Sequence, residues 1–245
     1  MEWSDDALVL SVRRYGESSA ILEALTRDHG RHLGLVRGGA SQRLRSALQR
    51  GNTLRLHWRA RLSEHLGGYT SELIRARTGD MMENRTALIG VNAFSTIASS
   101  VLPEREPHSP VFEAGEILLD AIVSQDFLHW GPLFVRWEAG LLEALGFGLD
   151  LSRCAATGRT DDLRFVSPKS GRAVSGDAAA PYRDRLLALP AFLAGSQAGE
   201  PEPSDIVAGL SLTEYFLFER VLRPHQQDMP GARQRLTALA RTESS

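Results

Sequence analysis

The sequence predicts an α+β protein of more than one domain, with a β-rich segment at the N-terminus and helices after it. Three observations lead to this class. Short apolar runs with strand-like alternation fill residues 1–78, apolar residues recur with a helical period from residue 81, and a Gly-, Ser- and Asp-rich stretch interrupts the helical part at Gly148–Pro181. The chain has 245 residues, 42% of them hydrophobic, which is ordinary for a globular protein of one or two domains.

Five strands and one short helix are predicted before residue 79. Ser41 is placed to cap the helix, which carries Leu44 and Leu48 on one face and ends at Gly51. Three strands, a helix and two more strands are the element order of an OB-fold, a five-stranded β-barrel. The predicted strands are Ala7–Val12, Ser19–Leu25, Arg31–Arg37, Thr53–Arg61 and Glu64–Arg77.

The helical part is predicted from apolar periodicity and from residues that favour helix ends. Proline at a first turn predicts helices that begin at Pro110 and Pro132, the second of which ends at Gly146. The segment Ser211–Glu214 matches a capping box and predicts a helix from there to the residue before Pro224. The other predicted features are a helix with Phe94, Ile97, Ala98 and Val101 on its apolar face, a hairpin of Leu163–Val166 with Arg172–Val174, a loop at Gly195–Pro203 and a last helix at Arg233–Arg241.

Charge is divided unevenly along the chain, although the formal net charge is only −2. Residues 1–80 hold 13 arginines and nine acids, whereas residues 81–150 hold three arginines and ten acids. The basic density is highest in Arg27–Arg61, where nine arginines occur with the single acid Asp28. A basic barrel is a suitable surface for a phosphate backbone. The acidic helical segment indicates either a solvated face or a docking platform for a protein partner.

The predicted strand Thr53–Arg61 is the most informative stretch for function. Alternate side chains of a strand lie on opposite faces, so Arg55, His57, Arg59 and Arg61 would share one face while Trp58 packs in the core. Such a stripe predicts phosphate contacts, or else an ordinary solvated strand face. Bases of single-stranded nucleic acid also stack on aromatic side chains, and the candidates for that role are Tyr15, Trp58 and Tyr69, of which Tyr15 is expected to be the best exposed.

Motifs for an enzyme or a metal site are scarce. The sequence has no GxxxxGK[ST], GxGxxG, HExxH, CxxC or GxSxG pattern, and Cys154 is its one cysteine. A single cysteine excludes an internal disulfide and a four-cysteine zinc site, and it suits a reducing compartment. The N-terminus is acidic and no apolar run is long enough to span a membrane, so a cytoplasmic protein without membrane contact is expected.

Several short strings occur in an order and spacing that are characteristic of one protein family. They are Tyr15–Ser19 (YGESS), Leu25–Gly30 (LTRDHG), Val36–Gly39 (VRGG), Leu48–Asn52 (LQRGN), Tyr69–Leu73 (YTSEL) and Leu141–Phe147 (LLEALGF). In order and spacing the chain resembles the RecO DNA repair proteins over essentially its whole length, and only weakly after residue 195. The resemblance implies an OB-fold DNA-binding domain at 1–79 and a helical domain formed by 80–147 and 181–245. It further implies a small zinc-finger-like insertion at 148–180.

The resemblance also implies a function in DNA repair and homologous recombination. Proteins of this family bind single- and double-stranded DNA without sequence specificity and anneal complementary strands. With RecR they help load RecA onto DNA that is coated by single-strand binding protein. The family thus implies these proteins as partners, a location at the nucleoid, and a binding function with neither enzymatic turnover nor a cofactor.

In one respect the sequence departs from the family pattern. Zinc-bearing members have two CxxC pairs around the hairpin, but here the first pair is replaced by Cys154–Thr157 (CAAT), and the second would fall near Ser175 and Ala178. One thiolate cannot hold a structural zinc ion, which takes about four ligands. We therefore expect a hairpin that is kept by packing, without a metal, and a half-buried Cys154.

The barrel arginines are the candidate DNA-binding residues. Two other functions remain open, namely a module for structured RNA, which would prefer RNA through 2′-hydroxyl contacts, and an enzyme with a dispersed site in the Gly148–Pro181 loop that uses Asp161 or Asp162. The arginines expected to contact DNA are Arg31, Arg37, Arg43, Arg45, Arg50, Arg55, Arg59 and Arg61.

Overall fold

The computed structural model describes residues 1–81, 84–195 and 201–244, which form two compact units, Met1–Ser124 and Gln125–Ser245. The strands are β1 (Glu2–Tyr15), β2 (Ser19–Thr26), β3 (Gly30–Val36), β4 (Thr53–Arg59), β5 (Gly68–Arg75), β6 (Leu163–Val166), β7 (Ala173–Ser175) and β8 (Leu187–Ala188). The α-helices are α1 (Gln42–Ala47), α2 (Thr78–Met81), α3 (Arg85–Val101), α4 (Ser109–Ser124), α5 (Phe127–Ala144), α6 (Gly176–Ala179), α7 (Pro203–Phe216) and α8 (Gly231–Glu243).

The first unit contains a closed barrel with the strand order β1-β2-β3-β5-β4, which confirms the predicted OB-fold. Neighbouring strands are antiparallel except β3 and β5, which run parallel where Val36 lies opposite Tyr69. The predicted cap of α1 is confirmed, because the Ser41 side chain accepts a hydrogen bond from the backbone N–H of Leu44. β1 begins five residues earlier than predicted, at Glu2, since its first residues pair with the end of β4 rather than show an apolar pattern.

The barrel core follows the alternation that the sequence predicts for β4. Leu54, Leu56 and Trp58 are buried, whereas the residues between them are exposed. Asn52, just before β4, is fully buried, and both the nitrogen and the oxygen of its side-chain amide form hydrogen bonds. Its Nδ2 donates to the carbonyls of Ser46 and Ala47 at the end of α1, and its Oδ1 accepts from the N–H of Arg77. Asn52 therefore ties α1 to the chain that leaves the barrel.

Helices α3 and α4 belong to the same compact unit as the barrel. Gly115 of α4 approaches β1 so closely that a Cβ atom there would meet Phe94 at 3.0 Å and Leu8 at 3.3 Å. The buried side chain of Arg77 donates to Asp120 of α4 at 2.6 Å and to the carbonyl of Gly51 at 2.8 Å. The division of the chain at residue 79 stays a prediction.

The second unit combines α5, α7 and α8 with a three-stranded sheet of order β7-β6-β8. The hairpin of β6 and β7 lies where the sequence predicts it, while the two-residue strand β8 is too short to show any periodicity and was missed. A buried ion pair joins α5 to α8: the Arg233 guanidinium donates to both carboxylate oxygens of Glu138, at 2.6 and 2.9 Å.

Two predicted helix starts are wrong. α5 begins at Phe127 behind the cap residue Asp126 and contains Pro132 in its second turn, where proline lacks the N–H for one helical hydrogen bond and its ring crowds the carbonyl one turn earlier. α7 begins at Pro203, and its capping box pairs Glu202 with Asp205 rather than using Ser211. The Ser211 hydroxyl instead donates to a backbone carbonyl inside the helix, as serine can in a helix interior.

The chain beyond α7 and the loop before it complete the second unit. After Phe216 the helix continues as a π-helical segment, Leu217–Leu222, and a 3-10 turn, Arg223–His225. Of the loop predicted at Gly195–Pro203, residues 196–200 lie outside the described part of the chain, and Pro203 is already helical. Within the described residues, none of the helices has the length and apolar character needed to cross a bilayer.

Candidate nucleic-acid interface

The outward face of β4 carries the predicted arginines, but its neighbouring strands carry acids. Arg55 lies opposite Asp6 on β1 and opposite Glu72 on β5. Its Nε donates to the Asp6 carboxylate at 2.5 Å, and this hydrogen bond raises the pKa of Arg55. Arg59 lies opposite Glu2, and the charged groups approach to 4.0 Å. We call this the β4 face; its positive charge is largely compensated.

Two other predicted arginines have structural partners. Arg31 is partly buried, and it donates from Nε to the carbonyl of Leu102 at 2.7 Å and from its guanidinium to Glu23 at 2.8 Å. Arg50 donates to the amide oxygen of Asn92 at 2.8 Å. Because an amide is neutral, Arg50 keeps its positive charge, whereas Arg31 is neutralised by an acid.

The remaining predicted arginines are exposed, and none forms an ion pair with any residue in the described part of the chain. Charge that is not compensated within the protein stays available to an anionic ligand. These residues are Arg37, Arg43, Arg45 and Arg61.

A first groove, of about 370 Å³, lies between α1 and the β1–β2 hairpin. We call it the hairpin groove. Arg45 and Arg50 approach from the α1 side and Arg14 from β1, with Val12 and Leu48 as apolar lining. Arg14 was not predicted, because the first strand was expected to end at Val12. Its guanidinium donates to the carbonyls of Gly16 and Glu17 in the hairpin turn, so no acid neutralises it among the described residues.

A second groove, of about 550 Å³, lies on another side of α1, where β3 and β5 run parallel. We call it the β3–β5 groove. Arg37 follows the last residue of β3, and Arg59 lies opposite Gly68 at the start of β5. Leu44 of α1 and the hydroxyl-bearing Thr70 complete the lining. The fold therefore brings together two cations that are 22 positions apart in the sequence.

Family models for the N-terminal and C-terminal parts of recombination protein O match residues 1–77 and 82–228. The chain belongs to the RecO family. A protein named DNA repair protein RecO from Methylorubrum populi is 48% identical over 244 residues, and the alignment covers 98% of both chains. One of the same name from Methylocella silvestris is 50% identical over 234 residues, covering 95% of this chain and 93% of the other. DNA repair and recombination is thus the functional context of this RecO-family chain.

The aromatic candidates are not equivalent in this RecO-family barrel. Trp58 and Tyr69 are buried, with the indole N–H donating to the carbonyl of Leu66 and the phenol bonded to His32. Burial raises the pKa of Tyr69 and removes both rings from contact with a base. Tyr15, which is 57% exposed at the hairpin tip, is the one candidate that could stack on a base.

The insertion of this RecO-family chain does not fit the zinc ion that some members carry. Cys154 is fully buried rather than half-buried, and its Sγ accepts hydrogen bonds from the backbone and hydroxyl of Ser175. Burial opposes ionisation, but the hydrogen bonds from Ser175 and Thr157 lower the pKa of the thiol to about 6. One thiol and two hydroxyls are a poor donor set for structural zinc. No three His, Cys, Asp or Glu side chains converge on a possible metal position in the described residues.

The carboxylates considered for a dispersed active site are engaged in local ion pairs. Asp161 accepts from Arg159 at 2.5 Å, a hydrogen bond that lowers the pKa of this carboxyl. Asp162 accepts from Arg164 at 2.5 Å and from the N–H of Gly176. These contacts hold the loop before β6.

Proposed function

We propose that this RecO-family protein binds single- and double-stranded DNA without sequence specificity through the grooves beside α1. There it would anneal complementary strands as a mediator of recombination, with no chemical turnover of its own. The observation that supports this most directly is the uncompensated charge of Arg14 and Arg45 in the hairpin groove and of Arg37 in the β3–β5 groove. Contacts from arginine to phosphate position a nucleic acid but carry no sequence information.

The grooves are better candidates than the β4 face. A phosphate that approaches Arg55 must compete with Asp6 and is repelled by Glu72, whereas Arg45 has no acid against it in the described residues. We therefore place Arg31 and Arg55 outside the main DNA contacts and add Arg14 to them. Arg61 lies in the exposed β4–β5 connection, two residues after Arg59, and has no acidic partner among the described residues.

Anisotropy of a labelled oligo-dT across a salt series tests this proposal. Binding should weaken as salt rises, with a slope of about −0.7 per phosphate neutralised. The double variant Arg37→Glu/Arg45→Glu takes one cation from each groove and should flatten that slope by about 0.7 for a strand in either groove, or by about 1.4 for one strand that contacts both. Arg153→Glu/Arg185→Glu is the matched control, because both side chains are exposed in the second unit and the change in net charge is the same.

The possible outcomes separate the alternatives. Equal losses in the variant and its control would mean that net charge matters and the grooves do not. Absence of binding to wild-type protein at low salt would contradict DNA binding itself. A competition between oligo-dT and an RNA of equal length checks the alternative ligand, since preference for RNA would indicate 2′-hydroxyl contacts.

We propose further that the protein acts with RecR to load RecA onto DNA coated by single-strand binding protein. The family membership supports this role, and the acidic segment 81–150 is the part of the chain least suited to DNA and best suited to a protein partner. Co-sedimentation with purified RecR, followed by RecA filament formation on coated single strands, tests it. Loading that proceeds equally well without this protein would contradict the mediator role.

A further inference from the structure

α1 stands between the two basic grooves and presents a different side to each. Leu44 lines the β3–β5 groove, while Arg45 and Leu48 line the hairpin groove. A helix turns about 100° per residue, so Arg43 and Arg45, two positions apart, project about 200° from one another. Arg45 therefore lines the hairpin groove, while the exposed Arg43 projects away from that groove.

Each groove also receives cations from elements other than α1. Arg14 reaches the hairpin groove from β1, and Arg50 from the turn that follows α1. Arg37 and Arg59 reach the β3–β5 groove from the ends of β3 and β4. The two sets share no residue, and each includes at least one arginine without an acidic partner among the described residues, since only Arg59 faces an acid, Glu2 at 4.0 Å.

The width of the separating element suits two paired strands. An α-helix with its side chains is about 10–12 Å across, and the major groove between the two backbones of B-form DNA is about 12 Å wide. Backbones that pass on the two sides of α1 are thus spaced much as they are across a major groove. The uncompensated arginines between them also reduce the repulsion between the two strands.

We propose that one barrel holds two DNA strands at the same time, one in the hairpin groove and one in the β3–β5 groove, with α1 between them. This inference rests on the proposed DNA binding and explains how a single copy could anneal complementary strands. A contrasting arrangement is one continuous site per copy, in which annealing requires two copies that each bring one strand.

The test compares variants that disable one groove each. Arg45→Glu/Arg50→Glu disables the hairpin groove, and Arg37→Glu/Arg59→Glu disables the β3–β5 groove. Wild-type protein should bind two short oligo-dT strands per copy in native mass spectrometry, and each variant one strand, with an affinity within about threefold of wild type. Annealing of complementary labelled strands, followed by energy transfer, should slow at least tenfold in both variants.

The two-strand arrangement is tested by whether the variants lose annealing while they keep single-strand binding. A variant that still anneals at the wild-type rate would overturn the inference, since one strand per copy would then suffice. Loss of all single-strand binding in both variants would also overturn it, in favour of one continuous site, and would leave the proposed DNA binding intact. A wild-type protein that binds no DNA would overturn both proposals. Arg153→Glu/Arg185→Glu again controls for net charge, and circular dichroism confirms that each variant is folded.

Mixing the two variants gives a second, independent readout. If both strands must lie on one barrel, the mixture anneals as slowly as either variant alone. If the mixture recovers the wild-type rate, two copies cooperate and the inference is wrong.

Discussion

The β4 face and the flanks of α1 are both rich in arginine, yet only the flanks of α1 offer free positive charge. On β4, the acids of β1 and β5 lie directly opposite the arginines, and Arg55 is bonded to Asp6. Beside α1, Arg37, Arg43 and Arg45 have no acidic partner among the described residues. The number of arginines in a segment is therefore a poor guide to its surface charge, which depends on what the neighbouring elements carry.

The two regions also differ in how they are held, and this leads to the largest expected effect. α1 depends on Asn52, whereas the β4 face is part of a continuous ladder. Asn52→Ala should lower the free energy of unfolding by about 2–4 kcal/mol, because it leaves the buried N–H of Arg77 without its acceptor. Urea denaturation measures the loss.

A matched change on the β4 face should cost little. Ser4→Ala removes the hydrogen bond between Ser4 and His57, both of which are exposed, and should change stability by less than about 0.5 kcal/mol. Equal costs in the two variants would mean that the Asn52 network does not anchor α1 in particular.

The stability of the barrel should depend on pH through His32, whose ring packs against Trp58. Burial and the charge of Arg105 lower the pKa of His32 to about 4, so His32 is neutral in the folded protein over a range where it is protonated in the unfolded chain. The unfolded state then binds more protons, and stability is lost as pH falls from about 6.5 towards 4, by up to about 3 kcal/mol. Urea midpoints at several pH values measure this, and His32→Gln should flatten the dependence. An equally steep fall in the variant would assign it to other groups.

Removing the two acids that lie opposite Arg55 should strengthen DNA binding on the β4 face. Asp6→Asn/Glu72→Gln frees Arg55 and should steepen the salt dependence of oligo-dT binding by about 0.7, the share of one additional phosphate. Glu143→Gln/Asp184→Asn is the control, since it makes the same change in net charge at exposed positions of the second unit. An unchanged slope in Asp6→Asn/Glu72→Gln would show that compensation is not what keeps DNA off this face.

The smallest expected effect comes from single alanine substitutions that compare the hairpin groove with the β4 face. Arg45→Ala should weaken oligo-dT binding by about twofold, which is within the range for one exposed charged contact and below the effect of disabling the whole hairpin groove. Arg55→Ala should leave it nearly unchanged, because Arg55 is already paired with Asp6. Anisotropy under identical salt conditions compares them, and a greater loss in Arg55→Ala would move the site back to the β4 face.

Local patterns were sufficient to predict much of the fold. The Ser41 cap, the alternation along β4 and the strand–helix order of the barrel depend on residues close in sequence, which periodicity and capping rules describe. The same rules misplaced the starts of α5 and α7, since a proline or a Ser-x-x-Glu string that favours a helix start is also tolerated inside a helix. Each helix begins instead behind another cap, Asp126 for α5 and the Glu202–Asp205 capping box for α7.

The sequence by itself was sufficient to predict the barrel, the helical part after it and the family. Strand alternation, helix caps and ordered motifs depend on residues that are close together in the chain, so they can be read from the sequence alone. Only the tertiary structure decided which arginines carry free charge. Arg55 meets Asp6 across 49 positions through the register of β1 and β4, and the hairpin groove joins Arg14 to Arg45 from separate elements. Strand register and closure of a barrel are collective results of burying one face of every strand, and no local pattern encodes which distant charges they bring together.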